Sequence, residues 1–429
     1  MPEPETSEQV SPPGGDPAQD FRWMARALAL ARKGEALAHP NPMVGAIVVA
    51  GGHEVGRGFH TYDGIKHAEI LALEEARGAA RGATLYLNLE PCCHTGRTGP
   101  CTEAILAAGI RRVVAAMPDP NPRVAGRGFE ILRRAGVGVV SGILEADARR
   151  LNEAFARWIR TGLPLVTLKA ALTLDGCVAA PGVAPAFSAT GRAASTSRGR
   201  GPASDRWITS EVARAEVQRM RHTADAVVTG IGTVLADDAL LTDRTGLPRR
   251  RPLVRVVLDS RLRLPLESKL ARSASGDVLV LTRVSENSAK AWALEQEGVE
   301  TLRIARETRA RRRGRAGAGA GGGANLPGLP LAGVFQALGE LEFLSVMIEA
   351  GPRVVAGALA AGVVDKVVLF YAPRFLGGGL MLLPQTVAKR GGRAAEAPSA
   401  LPPLRNVTLQ RFGPDFAVEG YLRDVYGDH

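Results

Sequence analysis

The chain has 429 residues, 45% of them hydrophobic and only 5% aromatic, with four cysteines and a formal net charge of +11. That length suits two domains with separate cores, and the composition excludes a fibrous or membrane-spanning chain, since no apolar run approaches the ~20 residues that a bilayer crossing needs. The N-terminal "MPEPETSEQVSPPGGDPAQD" lacks the basic and apolar regions of a signal peptide, so the expected location is the cytoplasm, where clustered cysteines point to a metal or to catalysis rather than to disulfides.

Residues 1–20 are Pro-rich and polar and are expected to form a disordered tail. "FRWMARALALARKG" then places Phe21, Met24, Leu28 and Ala31 at helical spacing and closes with Gly34. "VGAIVVAGGHEVGRGFH" reads as two strands joined at Gly-Gly. "HAEILALEEARGAA", "CTEAILAAGI" and "GRGFEILRRAG" follow as helices, alternating with the strands "ATLYLNLE", "RRVVAAM" and "VGVVSGI". This alternation predicts a layered α/β domain over 21–145, with a linker helix over 146–161. A second α/β domain over 162–429 is expected from "PLVTLKAAL", "ADAVVTGIGTVLADD", "RPLVRVVLDS", "DVLVLTRV", "LSVMIEAGP", "VDKVVLFYAP" and "FAVEGYLRD", read as six or seven buried strands. Within it, 180–203 is Gly/Ser/Arg-rich and apolar-poor, hence a loop. From Arg303 to Arg315 seven arginines meet one glutamate, and the stretch runs into "AGAGAGGGANLPGLP". More than half of the net charge therefore sits in this one segment, and 305–330 reads as a flexible, basic insertion rather than as a nucleic-acid face.

Three of the four cysteines crowd into "EPCCHTGRTGPC". A catalytic zinc takes three protein ligands and keeps one position open, whereas the wide gap from Cys92 to Cys101 and the lack of a second pair disfavour a closed structural site. Upstream, "GIKHAEILALEEA" puts His67 and Glu69 in the first turn of a helix, where the histidine is placed to ligate and the carboxylate to handle protons. H-x-E followed by P-C and a later cysteine is the pattern of zinc deaminases, in which the metal makes water nucleophilic and the glutamate shuttles protons. Helix N-termini beneath both sets favour thiolates. Cys93, His94 and Cys177 are expected to pack rather than ligate.

"HPNPMVGAIVV", "HAEILAL", "EPCCHTGRTGPCTEAILAAGI" and "MPDPNPRVAGRGFEILRRAGV" resemble the deaminase half of the bifunctional riboflavin biosynthesis deaminase/reductases. The resemblance implies a cytidine-deaminase-like αβα sandwich with His67, Cys92 and Cys101 on Zn²⁺ and Glu69 as catalytic proton carrier. Gly99 departs from relatives that carry a second proline there. Cytidine and tRNA-adenosine deaminases, with closer cysteines, are the alternative relatives.

In the second half, "EAGPRVVAGALAAG" reads as a turn into a helix whose exposed amides can hold phosphate, and "GIGTVLADD" is a weaker glycine loop. Neither fits the dinucleotide fingerprint G-x-G-x-x-G. "LKAALTLDG", "WITS", "GIGTVLADDALLTDR", "VVLDS", "EAGP" and "APRFLGG" resemble the reductase half of the same family. This implies a dihydrofolate-reductase-like fold using NADPH, with Ala171, Trp207, Thr233, Asp237, Ser260 and the turn Gly351, Pro352, Arg353, Val354, Val355, Ala356, Gly357 lining the cofactor site. Arg221, Leu241, Arg244 and Glu349 would contact a ribosyl-phosphate substrate. Asp205 falls at the substrate serine's position by ungapped counting, and Ser204 does so only with a gap. The expected chemistry is hydrolytic deamination of 2,5-diamino-6-(5-phosphoribosylamino)pyrimidin-4-one, then reduction of the ribosyl group to ribityl. The expected partners are these small molecules, without nucleic acid or membrane, in a homo-oligomer. A deaminase with an inactive reductase-like half is the alternative.

Overall fold

A computed structural model describes residues 15–180, 186–188, 207–304, 329–383 and 402–427, and these form two compact units, Met1–Arg160 and Thr161–His429. In the first unit, helix α1 (Pro17–Ala31) precedes a hairpin of β1 (Gly45–Ala50) and β2 (His53–Phe59). There follow α2 (Ala68–Ala76), β3 (Thr84–Leu87), α3 (Cys101–Ala107), β4 (Arg112–Ala115), α4 (Arg127–Arg134), β5 (Gly138–Ser141), α5 (Glu145–Leu151) and α6 (Glu153–Thr161). The sheet order is β2-β1-β3-β4-β5, with β1 antiparallel to both neighbours and β3, β4 and β5 parallel. Ala46, Val48, Leu85, Leu87, Val113 and Ala115 bury one face against Ala68, Ala72, Ile105, Phe129 and Leu132 of α2, α3 and α4. Tyr86, on the other face, meets Trp23 of α1 with ring centroids 6.5 Å apart. Helices on both faces make the αβα sandwich.

The ordered chain starts earlier than its composition suggests. Asp16 caps α1 by accepting from Ala18 N, and Pro17 opens the first turn, so residues 17–20 are helix rather than tail. Asp20 is the reason the first turn is held: its carboxylate accepts from Arg112 Nη1 and Nη2 at 2.7 and 2.6 Å and from Tyr86 Oη at 2.7 Å, all buried. Residues 1–14 lie outside the described residues.

The second unit contains β6 (Leu165–Thr173), β7 (Cys177–Ala179), α7 (Glu211–Thr223), β8 (Ala226–Gly230), α8 (Ile231–Asp237), β9 (Val254–Leu258), α9 (Lys269–Arg272), β10 (Val278–Thr282), α10 (Ala289–Gln296) and β11 (Val299–Arg303). It continues through α11 (Leu331–Glu340), β12 (Ser345–Ile348), α12 (Pro352–Ala360), β13 (Lys366–Ala372), β14 (Leu380–Met381), β15 (Arg405–Phe412) and β16 (Asp415–Tyr421). Nine strands run β11-β10-β9-β8-β12-β6-β13-β16-β15, parallel from β11 to β13 and antiparallel at β16 and β15, while β7 and β14 pair separately. Alternate residues of the parallel strands fill two cores, one beneath α11 and α12 and one beneath α8, α9 and α10, which is why these strands are apolar throughout.

One sequence expectation changes here. "ADAVVTGIGTVLADD" is not one strand but β8 turning into α8, because Ile231, Val234 and Leu235 lie on one buried helical face. The 180–203 loop is anchored at Phe187, which is 6% exposed and pairs by its amide with the Leu235 carbonyl; 181–185 and 189–203 lie outside the described residues, as do 305–328 of the expected basic insertion. No helix among the described residues is long and apolar enough to cross a membrane.

Two predictions follow from the packing of the first unit. Gly58 of β2 lies so close to α2 that a Cβ there would meet the Ala68 carbonyl and come within 2.6 Å of Leu71 Cβ, whereas Gly78 faces open space. In thermal unfolding Gly58→Ala should cost about 1–3 kcal/mol, and Gly78→Ala should stay within about 0.5 kcal/mol. Asp20→Asn, which strands Arg112, should cost about 3 kcal/mol at pH 7. Burial works to raise the Asp20 pKa, but the hydrogen bonds and charge of Arg112 and Tyr86 override it and lower it. Its contribution is thus complete above the unfolded value of about 3.9 and is lost as pH falls through the lower folded value, so the gap between wild type and variant should close in acid.

Candidate functional sites

In the first unit, α2 and α3 start at the same place. His67 is the N-cap of α2, with extended backbone, and Cys101 is the first residue of α3 behind Pro100. His67 Nδ1 lies 3.2 Å from Cys101 Sγ and 3.5 Å from Cys92 Sγ, and the three ligand atoms are all within 4.8 Å of one another. Cys92 is brought in by backbone bonding: its carbonyl accepts from Thr102 N at 3.2 Å, and its sulfur accepts from Cys101 N at 3.4 Å. Glu69, 4% exposed, sits one helical step inside.

Hydrogen bonds from Cys101 and His67 hold the Cys92 thiol below its usual range, against burial. Its bond to Cys92 and burial hold the Cys101 thiol up. Burial and the Cys92 charge push Glu69 above the usual carboxylate range, with His67 opposing. The donor set, one imidazole nitrogen and two sulfurs within 4.8 Å of one another, fits zinc, which catalytic sites hold with three such protein ligands. A divalent ion would also take over the role of the proton between the sulfurs.

Several supporting residues carry no motif signal in the sequence. His60 meets the His67 ring edge-on at 5.4 Å and is itself held by Asn41 Nδ2 and the Lys66 carbonyl, both at 2.9 Å. The buried Glu90 accepts from Asp119 N and Gly126 N with one oxygen and from Gly128 N and Phe129 N with the other, fixing the 119–129 segment. On that segment, burial pushes the Asp119 carboxyl up to about 7, with the neighbouring Glu90, Cys92 and Glu69 adding to the effect. Cys93 stands outside the ligand cluster. His94 is exposed rather than packed, because the 94–97 turn faces solvent. Cys177 is packed, with its sulfur 3.6 Å from Met381 Sδ.

In the second unit the expected cofactor residues gather at one edge of the sheet. Ala171 is near the C-terminal end of β6, Thr233 is in α8 directly after β8, Ser260 follows β9, and Gly351 follows β12. These four strands are mutually parallel, so all four positions lie at their carboxyl edge, where open α/β sheets bind ligands. Gly351 N donates to Thr233 Oγ1 at 3.3 Å, joining two of the turns. Pro352 to Gly357 form the start of α12, with Val354, Val355 and Gly357 buried and Arg353 exposed. Asp237 is the exposed last residue of α8. Trp207 is 53% exposed, under the Arg214 guanidinium at 4.9 Å. Asp205 and Ser204 lie outside the described residues.

Glu349, between β12 and that turn, binds two cations. Arg221 donates to it through Nε and Nη2 at 2.9–3.0 Å, and Lys169 Nζ donates at 3.2 Å. Burial alone would raise Glu349, but the charges of Lys169 and Arg221 hold it below the usual range. Lys169 escaped the motif reading, although a lysine inside the apolar "LVTLKAALT" was a usable signal. Leu241 is buried with φ +56°, and Arg244 is exposed.

Residues 17–117 match the cytidine and deoxycytidylate deaminase zinc-binding region, and residues 164–418 match the RibD C-terminal domain; together these domains imply zinc and NADPH as cofactors. The riboflavin biosynthesis protein RibD of Aquifex aeolicus is 39% identical over 85% of this chain and 89% of its own length. That of Synechocystis is 39% identical over 94% and 96%. Among solved structures, Acinetobacter baumannii RibD has a TM-score of 0.72 at 33% identity, covering 95% of this chain and 99% of its own. The Thermotoga maritima diaminohydroxyphosphoribosylaminopyrimidine deaminase/5-amino-6-(5-phosphoribosylamino)uracil reductase has a TM-score of 0.71 at 31% identity, covering 94% and 99%. With relatives matched across both units, the chain belongs to the RibD family, the bifunctional deaminase/reductases of riboflavin biosynthesis.

Proposed function

We propose that His67, Cys92 and Cys101 hold the zinc, that Glu69 carries the protons of deamination, and that the carboxyl edge of β6, β8, β9 and β12 holds NADPH against the ribosyl group. The observation that carries the first part is the convergence of one imidazole and two sulfurs within 4.8 Å beside a buried carboxylate. When bound, zinc lowers the pKa of a water and makes it nucleophilic. Glu69 would take a proton from the attacking water as the water oxygen bonds to the amine-bearing ring carbon, and would pass it to the amino nitrogen so that the C–N bond breaks and ammonia leaves. Glu90 and the His60–Asn41 pair keep the surrounding segments and the His67 ring in place.

In the reductase half NADPH supplies the hydride. Arg221, Arg244, Leu241 and Glu349 position the phosphoribosylamino substrate, with Lys169 beside Glu349. Asp205 is the candidate for the remaining substrate contact, with Ser204 the alternative. The substrates are small phosphoribosylaminopyrimidines; in this reading the enzyme works in the cytoplasm, without nucleic acid or membrane, as a homo-oligomer. Four unpaired cysteines suit a reducing compartment.

Glu69→Gln should lower deamination by about 10²–10⁴-fold, measured as ammonia release, while NADPH oxidation with the deaminated intermediate continues at the wild-type rate. Stripping the metal with a chelator should reproduce that split, and Cys101→Ser should lose stoichiometric zinc by elemental analysis. Glu349→Gln, which leaves Arg221 and Lys169 partly unpaired, should reduce NADPH oxidation by at least about tenfold with ammonia release intact. Parallel loss of both activities in any of these variants would contradict the assignment.

A further inference from the structure

Two motifs of the reductase half, "LKAALTLDG" and "APRFLGG", hold charged residues to which the cofactor and substrate contacts give no task, Asp175 and Arg374. They meet because β6 and β13 are adjacent and parallel, with Thr173 opposite Ala372. The turn after β6 and the loop after β13 therefore leave the sheet side by side at its carboxyl edge. Leu174 N donates to the Arg374 carbonyl at 2.9 Å, and Leu382 N donates to the Gly176 carbonyl at 3.1 Å. Between these contacts Asp175 ties the two segments together. Its carboxylate accepts from Gly377 N at 2.9 Å, from Leu376 N at 3.2 Å and from Thr173 Oγ1 at 2.5 Å. Thr173 Oγ1 in turn accepts from Cys177 N at 3.0 Å, closing the β6–β7 turn. Gly377 has φ +65°, the left-handed region that glycine enters without strain, which lets two successive amides face one anion. The Thr173 hydroxyl and these amides hold the Asp175 carboxyl below the usual carboxylate range, and bonds to an ionised acceptor are the stronger kind.

The loop fixed in this way carries Arg374, whose Nη2 donates to the Trp207 carbonyl at 2.6 Å. The Trp207–Ser210 segment is also held from its other end. Arg214 lies over the Trp207 ring at 4.9 Å and donates to the Thr209 carbonyl at 2.7 Å, and Ser210 N donates to Asp415 Oδ2 at 2.6 Å. Arg374 adds the hold that comes from across the carboxyl edge. An aromatic residue that is 53% exposed gains little restraint from packing, so bonds of this kind set its place.

We infer that Asp175 and Arg374 are positioning residues of the cofactor site: Asp175 fixes the 374–377 loop, and Arg374 passes that constraint to Trp207. The inference rests on the reading that Trp207 lines the NADPH site. The test measures the Kd for NADPH on the full chain, from the change in NADPH fluorescence on binding, and the KM for 5-amino-6-(5-phosphoribosylamino)uracil at saturating NADPH. Arg374→Gln should raise the Kd by about fivefold, the worth of one hydrogen bond, with kcat and the pyrimidine KM changed less than about twofold. Asp175→Asn, which sets an amide donor against the donors around it, should do the same. The double variant should bind NADPH no worse than the weaker single one, because both act through one contact. Trp207→Ala should weaken NADPH binding at least as much. Thr173→Val, which removes the hydroxyl donor to Asp175, gives a second variant if Asp175→Asn unfolds, with a rise of about threefold expected. An unchanged Kd in Trp207→Ala would overturn the reading of Trp207 as a cofactor residue. A weakened Trp207→Ala would overturn the positioning role alone in any of three cases: Arg374→Gln silent, Asp175→Asn and Thr173→Val both silent, or additive losses in the double variant. A parallel rise of the pyrimidine KM in these variants would do so too.

Discussion

The deaminase centre depends on how closely α2 lies against the edge of its sheet. Gly56 and Gly58 in β2 leave no room for a Cβ between strand and helix, and that close approach sets the height at which α2 begins. Because His67 is the N-cap and Glu69 lies in the first turn, the helix start places both candidate residues. Cys101 has the same relation to α3. Two helix N-termini aimed at one point favour negative charge there, which suits a pair of thiolates and a cation between them.

The reductase unit is organised around a compensated carboxylate. Glu349 would be costly to bury by itself; with Arg221 from α7 and Lys169 from β6 around it, it becomes the joint of three elements. The same arrangement engages Arg221 through Nε and Nη2, so this arginine is committed to the protein interior.

Much of the candidate site is legible in the sequence because its residues come in local patterns. H-x-E at a helix start and P-C before a second cysteine depend on spacing along the chain, and so did the alternation of strands and helices that marks both α/β units. Glu90, His60 and Lys169 were not legible in this way. Each acts across a long separation in sequence, Glu90 on residues 119–129 and Lys169 on Glu349, and no periodicity encodes such a pairing. β15 was missed for another reason: most of its residues are exposed, so the alternation that betrays a half-buried strand is absent. α8 was misjudged because a short apolar run satisfies a strand and a buried helix equally well.

By itself, then, the order of residues determined the two α/β units, the ligand types and the helix starts that carry them, since these follow from local backbone preference and side-chain chemistry. Tertiary structure alone decided that the His67 nitrogen and two distant sulfurs share one small volume, that α1 begins at Pro17 because Asp20 finds Arg112, and that Arg221 is committed inward while Arg244 stays free. Those outcomes depend on distances between segments far apart in the chain, and such distances exist only once the sheets have brought the segments together.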